Sequence, residues 1–133
     1  MKKSIIALAF LLNGCTVWDA YFMTGYDNNE YKLITEIRVD ASVYKAACPN
    51  KLMSEVNATQ LAYKTELFEK YEEQIPRNDN GYAASKSLNE MAKGLVSRYK
   101  ADTEVPTLFC NLKFANIEHS AEVIQHVVAR RPR

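Results

Sequence analysis

Cys110, Phe114, Ile117, Ala121, Ile124 and Val128 recur at intervals of three and four residues, the spacing that draws one apolar stripe along an α-helix. Ala84, Leu88, Met91, Leu95 and Tyr99 repeat the pattern, as do Leu52, Val56, Thr59, Tyr63, Leu67 and Tyr71, with Glu66, Lys70 and Glu73 falling off the stripe. An earlier segment reads two ways. Ile34, Ile37, Ala41, Tyr44 and Cys48 share a helical face, whereas Ile37, Val39, Ala41 and Val43 also alternate with Arg38, Asp40 and Ser42 in the period of two of a strand. A strand with no second strand to pair with would leave its backbone groups unbonded, so helix is the expectation.

Pro49, Pro76 and Pro106 separate these four segments. Asp27, Asn28 and Asn29 are suited to cap the first, with Glu30 placed three residues after Asp27 as in a capping box, and Asn78, Asp79 and Asn80 are suited to cap the third. The fold class predicted is all-α, an antiparallel four-helix bundle spanning residues 30–133. At 133 residues, 47% hydrophobic and 25% charged, the chain supports one core and is too apolar to be disordered. A net charge of +1 argues against a general nucleic-acid binder, and four glycines argue against a glycine-rich phosphate loop.

The N-terminus has a different character. Lys2 and Lys3 precede an unbroken apolar run from Ile5 to Leu12, too short to span a bilayer but matching the core of a signal peptide. Leu12, Asn13, Gly14 and Cys15 follow. This order of charge, apolar run, small residue and cysteine resembles the lipobox of bacterial lipoproteins, with Asn13 departing from the usual small or β-branched residue. The resemblance covers the export segment alone. It implies a signal peptide at 1–14, cleavage before Cys15 and lipidation of its thiol. Loss of Lys2 and Lys3 then turns the net charge to about −1. Thr16, in place of an inner-membrane-retaining Asp, implies the periplasmic leaflet of the outer membrane. More than one acyl chain on Cys15 suffices for stable anchoring.

Residues 15–29 form the expected tether. It is rich in aromatics rather than in Ser and Gly, and Trp18, Tyr21 and Phe22 are its candidate membrane or partner contacts. Two placements are open for it, packing on the domain or lying at the membrane surface.

With Cys15 acylated, Cys48 and Cys110 remain in an oxidising compartment. Cys48 ends the stripe of the first helix and Cys110 begins that of the fourth. An up-down-up-down bundle brings those two points to one end, which predicts a Cys48–Cys110 disulfide. No C-x-x-C motif supports a redox role.

His119, Glu122 and His126 lie along one face of the last helix, but the two histidines stand about 10.5 Å apart along its axis, too far to share one ion. No nucleophile–histidine pair, haem-attachment motif or calcium loop is apparent, so no catalytic residue, metal or cofactor is expected. Arg130, Arg131 and Arg133 suit a helix C-terminus on dipole grounds alone. The expectation is a non-enzymatic outer-membrane lipoprotein, membrane-bound through its lipid, whose helical domain binds another envelope component. In architecture it resembles pilotins, which hold a client helix in a groove, and in size the lipoproteins carried by phages and prophages. The alternatives are an envelope enzyme working from the His119, Glu122 and His126 face, and a purely structural lipoprotein. No nucleic acid or small-molecule substrate is expected.

Overall fold

The computed structural model describes residues 24–101 and 104–133. Among them the chain forms four α-helices, α1 (Asn28–Tyr44), α2 (Lys51–Glu73), α3 (Asp79–Ala101) and α4 (Thr107–Ala129), with a 3₁₀ turn at Lys45–Ala47. The strand-like alternation around Val39 lies wholly within α1.

Local chemistry sets the boundaries. Asp27 is the N-cap of α1, its carboxylate accepting from the Asn29 and Glu30 amides at 2.8 and 3.0 Å. Glu30 turns inward to Arg131 instead of back to the cap. Asn50 caps α2 through the Met53 amide at 3.0 Å. Pro106 directly precedes α4. Arg77, in the turn from α2 to α3, has φ of 59°, a left-handed conformation unusual for a residue with a side chain.

The helices form an antiparallel bundle in which α1 packs chiefly on α4 and α2 on α3. Ile34, Ile37 and Ala41 of α1 meet Phe114, Ile117 and Ala121 of α4, with Leu61 and Phe68 of α2 and Leu88 and Leu95 of α3 completing the core. The Cys48–Cys110 disulfide is present with its Cα atoms 5.8 Å apart, closing 62 residues of chain at the end where α1 finishes and α4 begins. Polar staples align α1 with its neighbours. Arg38 reaches Gln125 and Glu122 at 2.9 and 3.0 Å, Lys45 pairs with Glu118, and Lys64 of α2 pairs with Asp40.

The stripe read for α2 faces the wrong way. Leu52, Val56, Thr59, Tyr63 and Leu67 are exposed, while Ser54, Asn57, Ala58, Leu61, Thr65, Phe68 and Glu72 are buried. The inner face tolerates polar groups because each of three has a partner. Ser54 Oγ donates to the Asn50 carbonyl and accepts from Tyr99 at 2.9 Å, Thr65 Oγ1 donates to Asn89 Oδ1 at 3.1 Å, and Glu72 accepts from Asn78 at 2.7 Å.

Candidate functional site

The inversion of α2 creates an outward apolar face. Leu52 and Tyr63 are 75% and 69% exposed, with Val56 and Leu67 between and beyond them. Successive spacings of 4, 3, 4 and 4 through Thr59 keep these side chains on one line about 22 Å long. Glu55, Gln60, Glu66 and Lys70 are also exposed or half-exposed, so the line has a polar rim with both signs of charge. The buried side of the same helix already packs on α1 and α3. Such a line is the kind of surface on which a second amphipathic helix seats knobs at i, i+4 and i+7.

The other notable region is the end of the bundle holding the start of α1 and the finish of α4. Glu30 and Glu72 are buried there, and Arg131 nearly so. Arg131 Nη1 donates to Glu30 Oε1 at 2.6 Å, and Nη2 donates to Asn78 Oδ1 at 3.0 Å. Asn78 Nδ2 passes the link to Glu72 Oε2 at 2.7 Å. One cation therefore serves two buried acids. Burial first, and then the hydrogen bond and charge of Glu72, push the Glu30 acid up to about 8, against the opposing pull of Arg131. Glu72 Oε1 is buried and has no hydrogen-bond partner among the described residues. For Asp27 burial acts upward, but hydrogen bonds from the Glu30 amide, the Tyr71 hydroxyl and the Asn29 amide outweigh it and hold its carboxyl below the usual value.

Beside this knot a cavity of about 850 Å³ opens between the first turns of α3 and the last turns of α4. Its walls include Ala84, Val123, Ile124 and Val127, and Thr24 and Arg77 stand at its rim. Thr24 Oγ1 donates to the Arg77 carbonyl at 2.5 Å, fixing where the chain arrives. Arg77, Arg130 and Arg133 are exposed at the same end, Arg133 stacking over Tyr26 at 4.8 Å.

Cys48 and Cys110 are joined as expected from the topology. Cys15, Trp18, Tyr21 and Phe22 lie outside the described residues. His119 and Glu122 approach no closer than 4.0 Å and are well exposed, and Glu122 is engaged by Arg38 at 3.0 Å. No group of three or more His, Cys, Asp or Glu side chains among the described residues is arranged to hold a metal ion. No helix among them is long and apolar enough to cross a membrane. Two features escape a reading of local pattern, the outward stripe of α2 and the knot joining Glu30, Glu72, Asn78 and Arg131. The stripe was on view as a periodicity and lacked only its direction. The knot joins residues up to 101 positions apart and leaves no periodic trace. No family model, no curated protein and no solved structure matches this chain.

Proposed function

We propose that this chain is a non-enzymatic lipoprotein of the outer membrane, anchored in the periplasmic leaflet through acylated Cys15, and that the outward face of α2 holds an amphipathic helix of another envelope protein. The observation that carries the binding role is the exposed line Leu52, Val56, Tyr63 and Leu67. Exposed apolar side chains scattered singly are ordinary, but four on one line opposite a packed face favour a partner. Their three-and-four spacing suits a helix, and the mixed charges beside them suit a partner with a polar rim of its own. The anchor rests on the run from Lys2 to Cys15.

Two measurements on the full chain in cells test this reading. Metabolic acyl labelling of the wild type beside Cys15→Ser gives label on the first alone, and label on neither defeats the anchor. A benzoylphenylalanine at position 63 gives one dominant protein adduct, lost with Leu67→Asp. No single adduct at that position is the result of a purely structural lipoprotein and defeats the binding role.

A further inference from the structure

The cavity between α3 and α4 stands apart from the α2 face and is open where the chain arrives from its N-terminal side. We propose that its occupant is this chain's own segment Val17–Met23, whose aromatic side chains seat between Ala84 of α3 and Val123, Ile124 and Val127 of α4.

The path of the backbone carries the argument. Thr24 is held at the α2–α3 turn by its bond to the Arg77 carbonyl, and it lines the cavity. From there the chain crosses the finish of α4, where the Tyr26 amide donates to the Pro132 carbonyl at 2.8 Å, and enters α1 at its Asp27 cap. Thr24, the first described residue of the chain, therefore stands at the cavity rim. Trp18 is six residues upstream, within about 21 Å of Thr24 even when fully extended. The cavity walls extend over only about 8 Å of each helix, from Asp79 to Ala84 and from Val123 to Val128. The stretch from Trp18 to Thr24, when extended, is thus longer than either wall.

The chemistry agrees with the path. Val123 and Val127 are 51% and 53% exposed, which leaves apolar surface at the mouth of a polar-rimmed cavity. About 850 Å³ lies within the range of sites that bury a drug-sized ligand, which leaves room for the side chains of Trp18, Tyr21 and Phe22 together. Aromatic side chains bury roughly 150–250 Å² each, so seating them takes a large apolar surface out of water. The exposed polar residues Asp79 and Asn80 beside the cavity suit the indole N–H of Trp18 and the hydroxyl of Tyr21. A segment tethered at Thr24 also binds at high effective concentration. Where Cys15 carries lipid, seating Trp18 leaves only two residues free between anchor and domain. The end bearing Arg77, Arg130 and Arg133 is then held against anionic headgroups. That consequence depends on the anchor; the seating itself depends neither on it nor on the α2 partner.

The chain has a single tryptophan, Trp18, so its fluorescence reports this segment alone. The full chain, purified from membranes and reconstituted in phosphatidylcholine vesicles, is tested with two quenchers, aqueous acrylamide and doxyl-labelled lipid. The expected result is protection from both, with Val127→Asp raising quenching by one or the other several-fold and Val39→Asp on α1 leaving both unchanged. Circular dichroism confirms that both variants fold. Strong quenching of the parent by doxyl lipid places Trp18 in the bilayer surface and overturns the proposal, as does strong quenching by acrylamide. As a second measurement, benzoylphenylalanine at position 22 gives an adduct within the chain mapping to residues 79–84 or 123–128. Adducts confined to lipid, to other proteins or to other parts of the chain overturn it too.

Discussion

The guanidinium of Arg131 donates to the carboxylate of Glu30 at 2.6 Å across 101 residues of chain, tying the segment that leaves α4 to the first turn of α1. The second edge of the same guanidinium reaches Asn78 and, through it, Glu72 at the finish of α2. Parts of the chain bordering all four helices meet at this knot. The opposite end is closed by the Cys48–Cys110 disulfide, so the bundle is fastened by ionic chemistry at one end and covalently at the other.

Removing the cation leaves two buried acids facing each other. Arg131→Met is expected to cost about 3–5 kcal/mol, the usual penalty for breaking a buried pair from one side. Arg131→Lys restores only part of this, because an ammonium lacks the planar fork that serves Glu30 and Asn78 together. Urea unfolding of the three proteins at one pH checks the order wild type, lysine, methionine. Equal midpoints for wild type and methionine would show that the knot contributes nothing.

The paired acids also set a direction for pH. An acid whose folded pKa, about 8 for Glu30, stands above its ordinary 4.5 binds its proton more tightly in the folded state. Its contribution is fully present below about 4.5, falls by at most about 1.4 kcal/mol per pH unit as the pH rises, and levels off above about 8. Asp27 acts oppositely, since its depressed pKa makes its contribution disappear as the pH falls through the acid range. Stability is therefore expected to be highest in mildly acidic solution and to decline toward pH 8. Glu30→Gln, which keeps the shape without the titration, is expected to flatten that decline. Urea midpoints at several pH values for both proteins provide the comparison, and parallel slopes would remove Glu30 as the cause.

Much of the fold was legible in local pattern, for identifiable reasons. Pro49, Pro76 and Pro106 interrupt helices wherever they occur, and the α4 stripe from Cys110 to Val128 is the core face, with Gln125 added and Ile124 at its edge. The disulfide followed from topology once helices one and four were in place. The inner face of α2 was not legible, because Ser54, Thr65 and Glu72 are buried only by virtue of Tyr99, Asn89 and Asn78 on later parts of the chain. Apolar periodicity alone favours Leu52, Val56, Tyr63 and Leu67, and it cannot distinguish a stripe that meets the core from one that meets a partner. Glu30 and Arg131 were obscured by a simpler local reading, since each suits its helix terminus as a cap or dipole partner.

Two glycines in α3 give opposite expectations from the same substitution. In an open helix Gly→Ala stabilises by about 0.8–1 kcal/mol. Nothing lies within 4 Å of a Cβ built at Gly94, so Gly94→Ala is expected to give that gain. A Cβ at Gly81 would meet Asn78 Oδ1 at 2.2 Å, the atom that accepts from Arg131. Asn78 must then move and the knot opens, so Gly81→Ala is expected to cost about 1–3 kcal/mol despite its helix propensity. Thermal unfolding of the two variants decides the matter, and a gain at both positions would mean that Asn78 moves freely.

The two fastenings are expected to fail separately. In the chain-entropy account a disulfide closing 62 residues stabilises by about 4 kcal/mol, so Cys48→Ala with Cys110→Ala should lower stability by up to that amount. Both cysteines are buried, and the native protein should therefore resist alkylation until it is reduced and unfolded. Because the Glu30–Arg131 knot still holds the other end, the loss should begin locally. Hydrogen exchange followed by mass spectrometry is expected to show faster exchange across Lys45–Met53 and the first turns of α4, with the first turn of α1 and the last turn of α4 still protected. Arg131→Met should give the reverse map, fast at Tyr26–Ile34 and slow around Cys48. Uniform loss of protection in both proteins would show that the bundle opens as one unit and that neither fastening acts on its own end.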